Sequence, residues 1–370
     1  MNNITTAGIL LNAIQVPYKI FIKLCENYEP EELLKGRETF WEELGLNENH
    51  QIKLTDLLKS DWAKREFERV DNFGAVFITA QDLNYPAKLK DLRNPPIGLY
   101  IKGNANLSMP SAAIVGTRKC SVYGKSVATN LAKALVHKNI TVISGGARGI
   151  DTEGHRGSLS ENGITISVFG TGINKVYPAE NKDLFSRITE KGALVSEFPM
   201  GTGGEAWRFS IRNRIIAAMS SRIIVVESSE DGGAMITARK GFELKREVWS
   251  VPGRITDSIC KGSNVLLGEG AKVLASINDF IETINANMQI NMNFDEFTGN
   301  DTGSSLNIKT PELNDEEKIV YSLLQRHGGR TIDEILIESG LDFINVQSAL
   351  IELEADGLII NSSGRYSAAS

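Results

Sequence analysis

From Ser111 onward, short apolar runs alternate with amphipathic stretches. The runs are AAIV (112–115), TVIS (141–144), ITISVF (164–169), ALVS (193–196), RIIVVE (222–227) and EVWSV (247–251). Between the first two, Val127, Leu131 and Leu135 recur four apart, on one face of a helix. Asp151 or Thr152 is placed to cap the helix after the second run. Strands this short and this continuously apolar are buried on both faces. The pattern therefore predicts an α/β fold whose mostly parallel sheet is covered by helices. Nearly every run stops at glycine, and ALVS runs into a Pro/Gly loop. In such sheets ligands bind at the carboxyl ends of the strands.

The flanks follow other patterns. Residues 1–70 place Ile14, Tyr18, Phe21, Ile22 and Cys25 at helical spacing and hold no strand-like run, which predicts a small helical domain. Residues 82–103 carry three prolines and no clear period, and read as an extended connector within a central domain spanning 71–284. Residues 285–310 are polar and aperiodic, a flexible linker. Residues 311–370 give helices near 314–326, 331–338 and 344–356, then two strands around Ser362-Ser363-Gly364. That order is a winged-helix pattern.

Charge sharpens this division. The net charge is −6, but residues 71–284 carry +6, residues 1–70 carry −3 and residues 311–370 carry −7. A polyanion is drawn to the middle of the chain and repelled by its end. Composition adds exclusions. Three well-separated cysteines give no disulfide framework or CxxC zinc site, and four His without metal-ligand spacing give no protein-built metal site. The N-terminus has no basic segment with a cleavage site, and no apolar run approaches 18 residues, so the expectation is a cytoplasmic protein with no membrane contact.

Four glycine-bearing loops sit at the predicted strand ends. Gly116-Thr117-Arg118-Lys119 opens a helix, where backbone N–H groups bind anions and Arg118 adds a guanidinium. Gly145-Gly146-Ala147-Arg148-Gly149 leaves a bare concavity beside it if the two strands are neighbours. Gly170-Thr171-Gly172 leads to Tyr177-Pro178 and to Asn181-Lys182, and Asp231-Gly232-Gly233 has Arg239 behind it. One such loop is what any βα turn requires; four with arginines attached favour an anion pocket. GxGxxG fails at Ser144, and the Walker A spacing fails at Lys119. Trp207-Arg208-Phe209-Ser210-Ile211-Arg212-Asn213-Arg214 sets aromatics among arginines, the pairing that holds single strands by phosphate and base, or else an amphipathic helix start with Phe209 in the core. No nucleophile–base arrangement is evident, and His155, four residues after Asp151, reads as an Asx–His pair or a surface group.

These strings, together with IVGTR (114–118), SGGARGID (144–151), SEFP (196–199), FSIRNRIIA (209–217), GGAMITAR (232–239), VPG (251–253) and GSN (262–264), resemble the DNA-processing protein A family (DprA, also called Smf). The resemblance is dense over about residues 80–275. It implies an extended Rossmann-like domain without catalytic turnover or cofactor. It further implies a homodimer that binds single-stranded DNA without strong sequence preference and loads the recombinase RecA during natural transformation. By motif match, Arg118, the Gly145-Gly146-Ala147 turn, Lys182 and the Arg212-Asn213-Arg214 run would hold phosphates, and Phe209 would meet a base. Two positions depart from the pattern. Gly146 stands where members commonly have a small apolar residue such as Leu, a change expected to loosen the loop. Val265 follows the Gly-x-Asn motif in place of a polar or basic residue. The acidic winged helix reads as a protein-contact or regulatory module, since duplex DNA would be repelled. The competing class is a nucleotide-binding or nucleotide-hydrolysing protein related to phosphoribohydrolases; their Pro-Gly-Gly-x-Gly-Thr-x-x-Glu loop is matched only in part by Glu230 to Thr237, without the catalytic Glu.

Overall fold

The computed structural model describes residues 2–284, 313–327, 329–362 and 364–368; the linker expected over 285–310 lies outside them. Six helices open the chain: α1 (Asn3–Ala13), α2 (Tyr18–Asn27), α3 (Pro30–Leu34), α4 (Glu38–Leu44), α5 (Glu48–Lys59) and α6 (Trp62–Phe73). Strands β1 (Val76–Thr79) and β2 (Gly98–Gly103) follow. The alternating series is then β3 (Ser111–Val115), α7 (Val122–Val136), β4 (Thr141–Ser144), α8 (Ile150–Ser160), β5 (Thr165–Phe169), α9 (Lys182–Lys191), β6 (Ala193–Ser196), α10 (Ala206–Met219), β7 (Arg222–Val225), α11 (Gly233–Glu243) and β8 (Glu247–Ser250). It closes with α12 (Lys261–Gly268), β9 (Lys272–Val273) and a helix α13 over 277–284.

The nine strands form one sheet in the order β1-β2-β6-β5-β4-β3-β7-β8-β9. From β6 to β9 all neighbours are parallel, while β1 and β2 run antiparallel at one end. The connector expected over 82–103 is therefore corrected in its last part. Leu99, Tyr100 and Ile101 are buried and pair with β1, Tyr100 and Ile101 pair also with β6, and the prolines that obscured the pattern lie in the loop before them.

Strand β3 shows why the runs are apolar at every position. Ala112 and Ile114 pack with Leu131 and Leu135 of α7, while Ala113 and Val115 pack with Ile215 and Ile216 of α10 on the other face. Both faces are covered, so a polar side chain there needs an internal partner, as Ser111 has in the Met219 carbonyl. The chain leaves β3 toward β4 on one side and later returns to β7 on its other side, so the strand order reverses at β3. The crevice at the carboxyl ends of β3 and β7 is where a doubly wound sheet receives ligands.

The C-terminal part comprises α14 (Asp315–His327), β10 (Arg330–Thr331), α15 (Ile332–Ser339), α16 (Phe343–Ala355), β11 (Ile359–Ser362) and β12 (Arg365–Ala368). Val320, Leu324, Ile335, Val346, Leu350 and Leu353 form its core, and its three strands pair as β10-β12-β11. Thr331 and Glu334 cap α15 reciprocally.

Candidate nucleic-acid interface

The crevice at the switch point is filled from within. Glu227, just after β7, is buried, and its carboxylate accepts the Ser121 N–H at 2.9 Å and the Ser121 hydroxyl at 2.5 Å. Ser121 is the N-cap of α7 and accepts the Gly124 N–H. The helix start expected to bind a phosphate thus carries an internal carboxylate, which the helix dipole favours. The Thr117 N–H donates to the Glu227 carbonyl at 2.7 Å, and the Thr117 carbonyl accepts from the Ile150 N–H. Gly116 and Thr117 shape the loop with their backbones, and Arg118 and Lys119 stand exposed on top of it.

The second loop is closed in the same manner. Strands β3 and β4 are neighbours, so the two glycine loops do meet. Asp151, buried in the first turn of α8, accepts the Gly145 N–H at 3.1 Å and the Ala147 N–H at 3.3 Å. The amides of Gly145 and Ala147, expected to stand bare for a phosphate, donate to this internal carboxylate. Asn181 donates to the Gly146 carbonyl and to Thr152 Oγ1, and Thr152 donates to the Ala147 carbonyl. Gly146 has φ +68°, and a Cβ there would meet Phe185 and Ser167 Oγ at 2.6 Å. Glycine at this position fits a tight, left-handed turn and does not loosen the loop.

Arg212 lies beneath this loop. It is 5% exposed, and its guanidinium donates to the carbonyls of Gly145 at 2.6 Å and Val168 at 2.5 Å. Burial lowers its pKa to about 10, with Asp151 pulling the other way, so it stays charged at neutral pH. Burial raises the pKa of Asp151, against the opposing pull of Arg212 and the two amides. Asn213 donates to the Gly233 carbonyl, and Arg214, also buried, pairs with Glu197 and donates to the Asn94 carbonyl. With the winged helix seated, the Arg212-Asn213-Arg214 run expected to hold phosphates is buried, and each of its side chains is partnered within the fold. An arginine one helical turn from an aromatic reads the same in sequence whether it faces water or carbonyls.

What remains accessible is a rim of side chains around Phe209. The Phe209 ring is half-buried, seated against Gly170 and Gly204. The Arg118 guanidinium is 5.9 Å from its centre, as is that of Arg212 from below. The Tyr177 ring lies 5.2 Å away, tilted by 40°, and is 51% exposed. Lys175 is exposed on the Tyr177 loop, and Lys182 is exposed at the start of α9, next to the Asn181 that holds the second loop. Arg148 is exposed but paired with Glu180, so its charge is partly answered. In sequence Tyr177 stands out only as part of a Tyr-Pro step; its place beside Phe209 comes from the loop after β5 folding over the start of α10.

Other singled-out residues are structural. His155 is fully buried, bonded to Thr165 Oγ1 at 2.7 Å rather than to Asp151, and burial pushes its pKa down to about 3, with Arg212 adding to the effect. Asn264 of the Gly-x-Asn motif accepts the Gly253 N–H and donates to its carbonyl, while Val265 packs against the core. Among the described residues no group of three or more His, Cys, Asp or Glu is placed to hold a metal ion, and no helix is long and apolar enough to cross a membrane.

Comparison with known proteins places this geometry among relatives. A family model described as DNA recombination-mediator protein A matches residues 76–285, and one described as DprA winged helix domain matches residues 308–365. The Bacillus subtilis DNA processing protein DprA is 38% identical over 213 residues, covering 57% of this chain and 72% of that protein. The X-ray structure of DNA processing protein A from Streptococcus pneumoniae aligns with TM-score 0.66 at 28% identity, covering 76% of this chain and 98% of the other. A solved structure of DNA processing protein A from Helicobacter pylori, described for its single-stranded DNA binding mode, aligns with TM-score 0.53 at 28% identity, covering 57% of this chain and 96% of the other.

Proposed function

Because this chain belongs to the DNA recombination-mediator protein A family, we propose that it grips single-stranded DNA, without regard to base sequence, along the rim at the tips of its parallel strands. It shields incoming strands in the cytoplasm during natural transformation and passes them to RecA. It acts as a homodimer, whose two tracks raise the avidity of one strand. The task is binding, and no bond is made or broken. The single-stranded DNA binding mode described for the Helicobacter pylori relative supports this reading.

The observation that carries it is the grouping of Arg118, Phe209 and Tyr177. A guanidinium beside an accessible aromatic pair joins the two interactions an unpaired strand offers, phosphate and base face. Arg118 takes a phosphate through its planar fork. Phe209 and Tyr177 stack on bases, which is tolerant of sequence because every base has a π-face. Lys119, Lys175 and Lys182 supply further charge around the rim. The backbone loops position these groups and are not themselves the ligands.

The test is fluorescence anisotropy with two oligonucleotides of unrelated sequence at two salt concentrations. The parent binds both alike and weakens with salt, by a slope of roughly 0.7 per phosphate neutralised. Phe209→Ala and Arg118→Ala each weaken both oligonucleotides equally. Variants that bind as the parent does place the site elsewhere. Light scattering across a concentration series reads the dimer, and RecA filament growth on a single strand, with and without this protein, reads the hand-over.

A further inference from the structure

The acidic winged helix is seated on a cationic part of the core. Its third helix, α16, lies against α10 and α11, with Ile351 facing Ile211 and Ile236, and Ile344 joins the core's apolar cluster. Around this small apolar contact the charges are opposed. Lys240 Nζ is 2.6 Å from Glu352 Oε1, each side chain 10% exposed. Arg93 pairs with Glu317 at 2.6 Å and with Asp356. Arg214 and Lys53 line the same gap between winged helix and core as Glu352 and Glu354, and Lys19 acts on Asp356 through its charge. On the core side, Glu197 and Glu243 answer only Arg214 and Lys240. Without the winged helix, this face of the core presents an excess of positive charge.

Helix α10 links that face to the rim. Phe209 and Arg214 are five residues apart on it, about 7.5 Å along the axis and on different sides. We propose that the face formed by Arg93, Arg214 and Lys240, with Lys19 and Lys53 at its margin, is a second binding site for the phosphodiester backbone of single-stranded DNA. The winged helix covers it with carboxylates standing where phosphates would bind. A strand held at the rim and long enough to pass around α10 competes with α16 for these cations. The proposal rests on the strand-tip reading for the identity of the strand; the docking it describes does not. While seated, α16 is also turned inward, which withholds the third helix of the winged fold from duplex DNA.

The experiment uses the full chain, with hydrogen exchange at α16 and small-angle scattering as readouts of docking. Glu352→Lys unseats the winged helix: exchange at α16 quickens and the radius of gyration grows. Adding Lys240→Glu to it restores both, which shows that the single variant is folded. Asp315→Lys, at a side chain 92% exposed, makes the same change of charge and leaves docking as in the parent. With a long oligo-dT, Glu352→Lys binds roughly three- to tenfold tighter than the parent, and Asp315→Lys binds as the parent does. Saturating oligonucleotide speeds exchange at α16 in the parent. Tight binding with α16 still protected, or an unseated variant with unchanged affinity, overturns the second site and leaves the rim intact. A parent that binds no oligonucleotide overturns both.

Discussion

The carboxylate of Glu227 spans from the end of β7 to the first turn of α7, where it accepts both the N–H and the hydroxyl of Ser121. It places a negative charge where the helix dipole and two donors converge. Glu227→Gln removes the charge and turns an amide NH2 toward groups that already donate. The expected cost is about 1–2 kcal/mol, a few degrees in Tm. Calorimetry on the two proteins decides it; equal Tm values would mean the contact is not stabilising.

Arg118 and Arg212 look equivalent in sequence and differ in consequence. Arg212→Ala leaves Asp151 buried without its cation and the Gly145 and Val168 carbonyls without a donor, so it destabilises by about 3–5 kcal/mol. Arg118→Ala leaves Tm unchanged, lowers affinity for every oligonucleotide alike and flattens the salt slope by roughly 0.7. Thermal melts and salt titrations on both variants separate the two roles. A stable Arg212→Ala protein with weak DNA binding would reverse the assignment.

Gly146 and Gly201 both have positive φ, +68° and +84°, but a Cβ meets Phe185 and Ser167 at the first and nothing within 4 Å at the second. Gly201→Ala therefore carries only backbone strain, about 1 kcal/mol. Gly146→Ala adds overpacking, for a total on the order of 3 kcal/mol. Urea denaturation of the pair reads the difference. Equal losses would mean the second loop yields.

Seating of the winged helix depends on pH through Asp356. Burial raises its pKa from 3.8 to about 6, with Glu352 and Glu317 adding to the rise and Arg93 and Lys19 opposing it. The folded chain therefore holds this proton more tightly than the unfolded chain. Its contribution to stability is full below about pH 4 and is lost as pH rises through about 6. Glu352 behaves oppositely: its lowered pKa, maintained by Lys240 against burial, gives stability that disappears only in acid. Between pH 7 and 5 the first effect is isolated, and protection of α16 from exchange increases by about 1 kcal/mol. The comparison of the parent with Asp356→Asn isolates it: on going from pH 7 to 5 the parent gains that amount relative to the variant, and equal pH profiles of α16 protection in the two proteins contradict it.

The sheet was legible because its central strands are covered on both faces, which forces apolar runs such as Ile223 to Val226. Strand β1 was not, since Val76 is exposed at the edge and the run is four residues long. The winged helix was legible from three helical periods and a hairpin, each helix within a residue of its expected bounds. Of the site, the glycine loops and Phe209 could be found from sequence. That the amides of those loops are occupied could not. The partner of Ser121 is Glu227, 106 residues later, and any loop carboxylate is an equal candidate until the strand order is known. Asp151 is closer, but in sequence it is one of two candidate caps for its own helix, with Thr152, whereas its carboxylate turns back to Gly145 and Ala147. Seating of α16 on α11 depends on Lys240 and Glu352, 112 residues apart, and carries no local signature at all.

A carboxylate built into the switch-point crevice has one more effect. Free nucleotides are abundant in any cell, and a vacant helix start at that position would be titrated by them. With Glu227 bonded to Ser121, a mononucleotide meets an occupied helix start, and under the proposed function a polymer that touches several rim groups at once has the advantage. On that reading the protein answers to chain length and not to the metabolite pool.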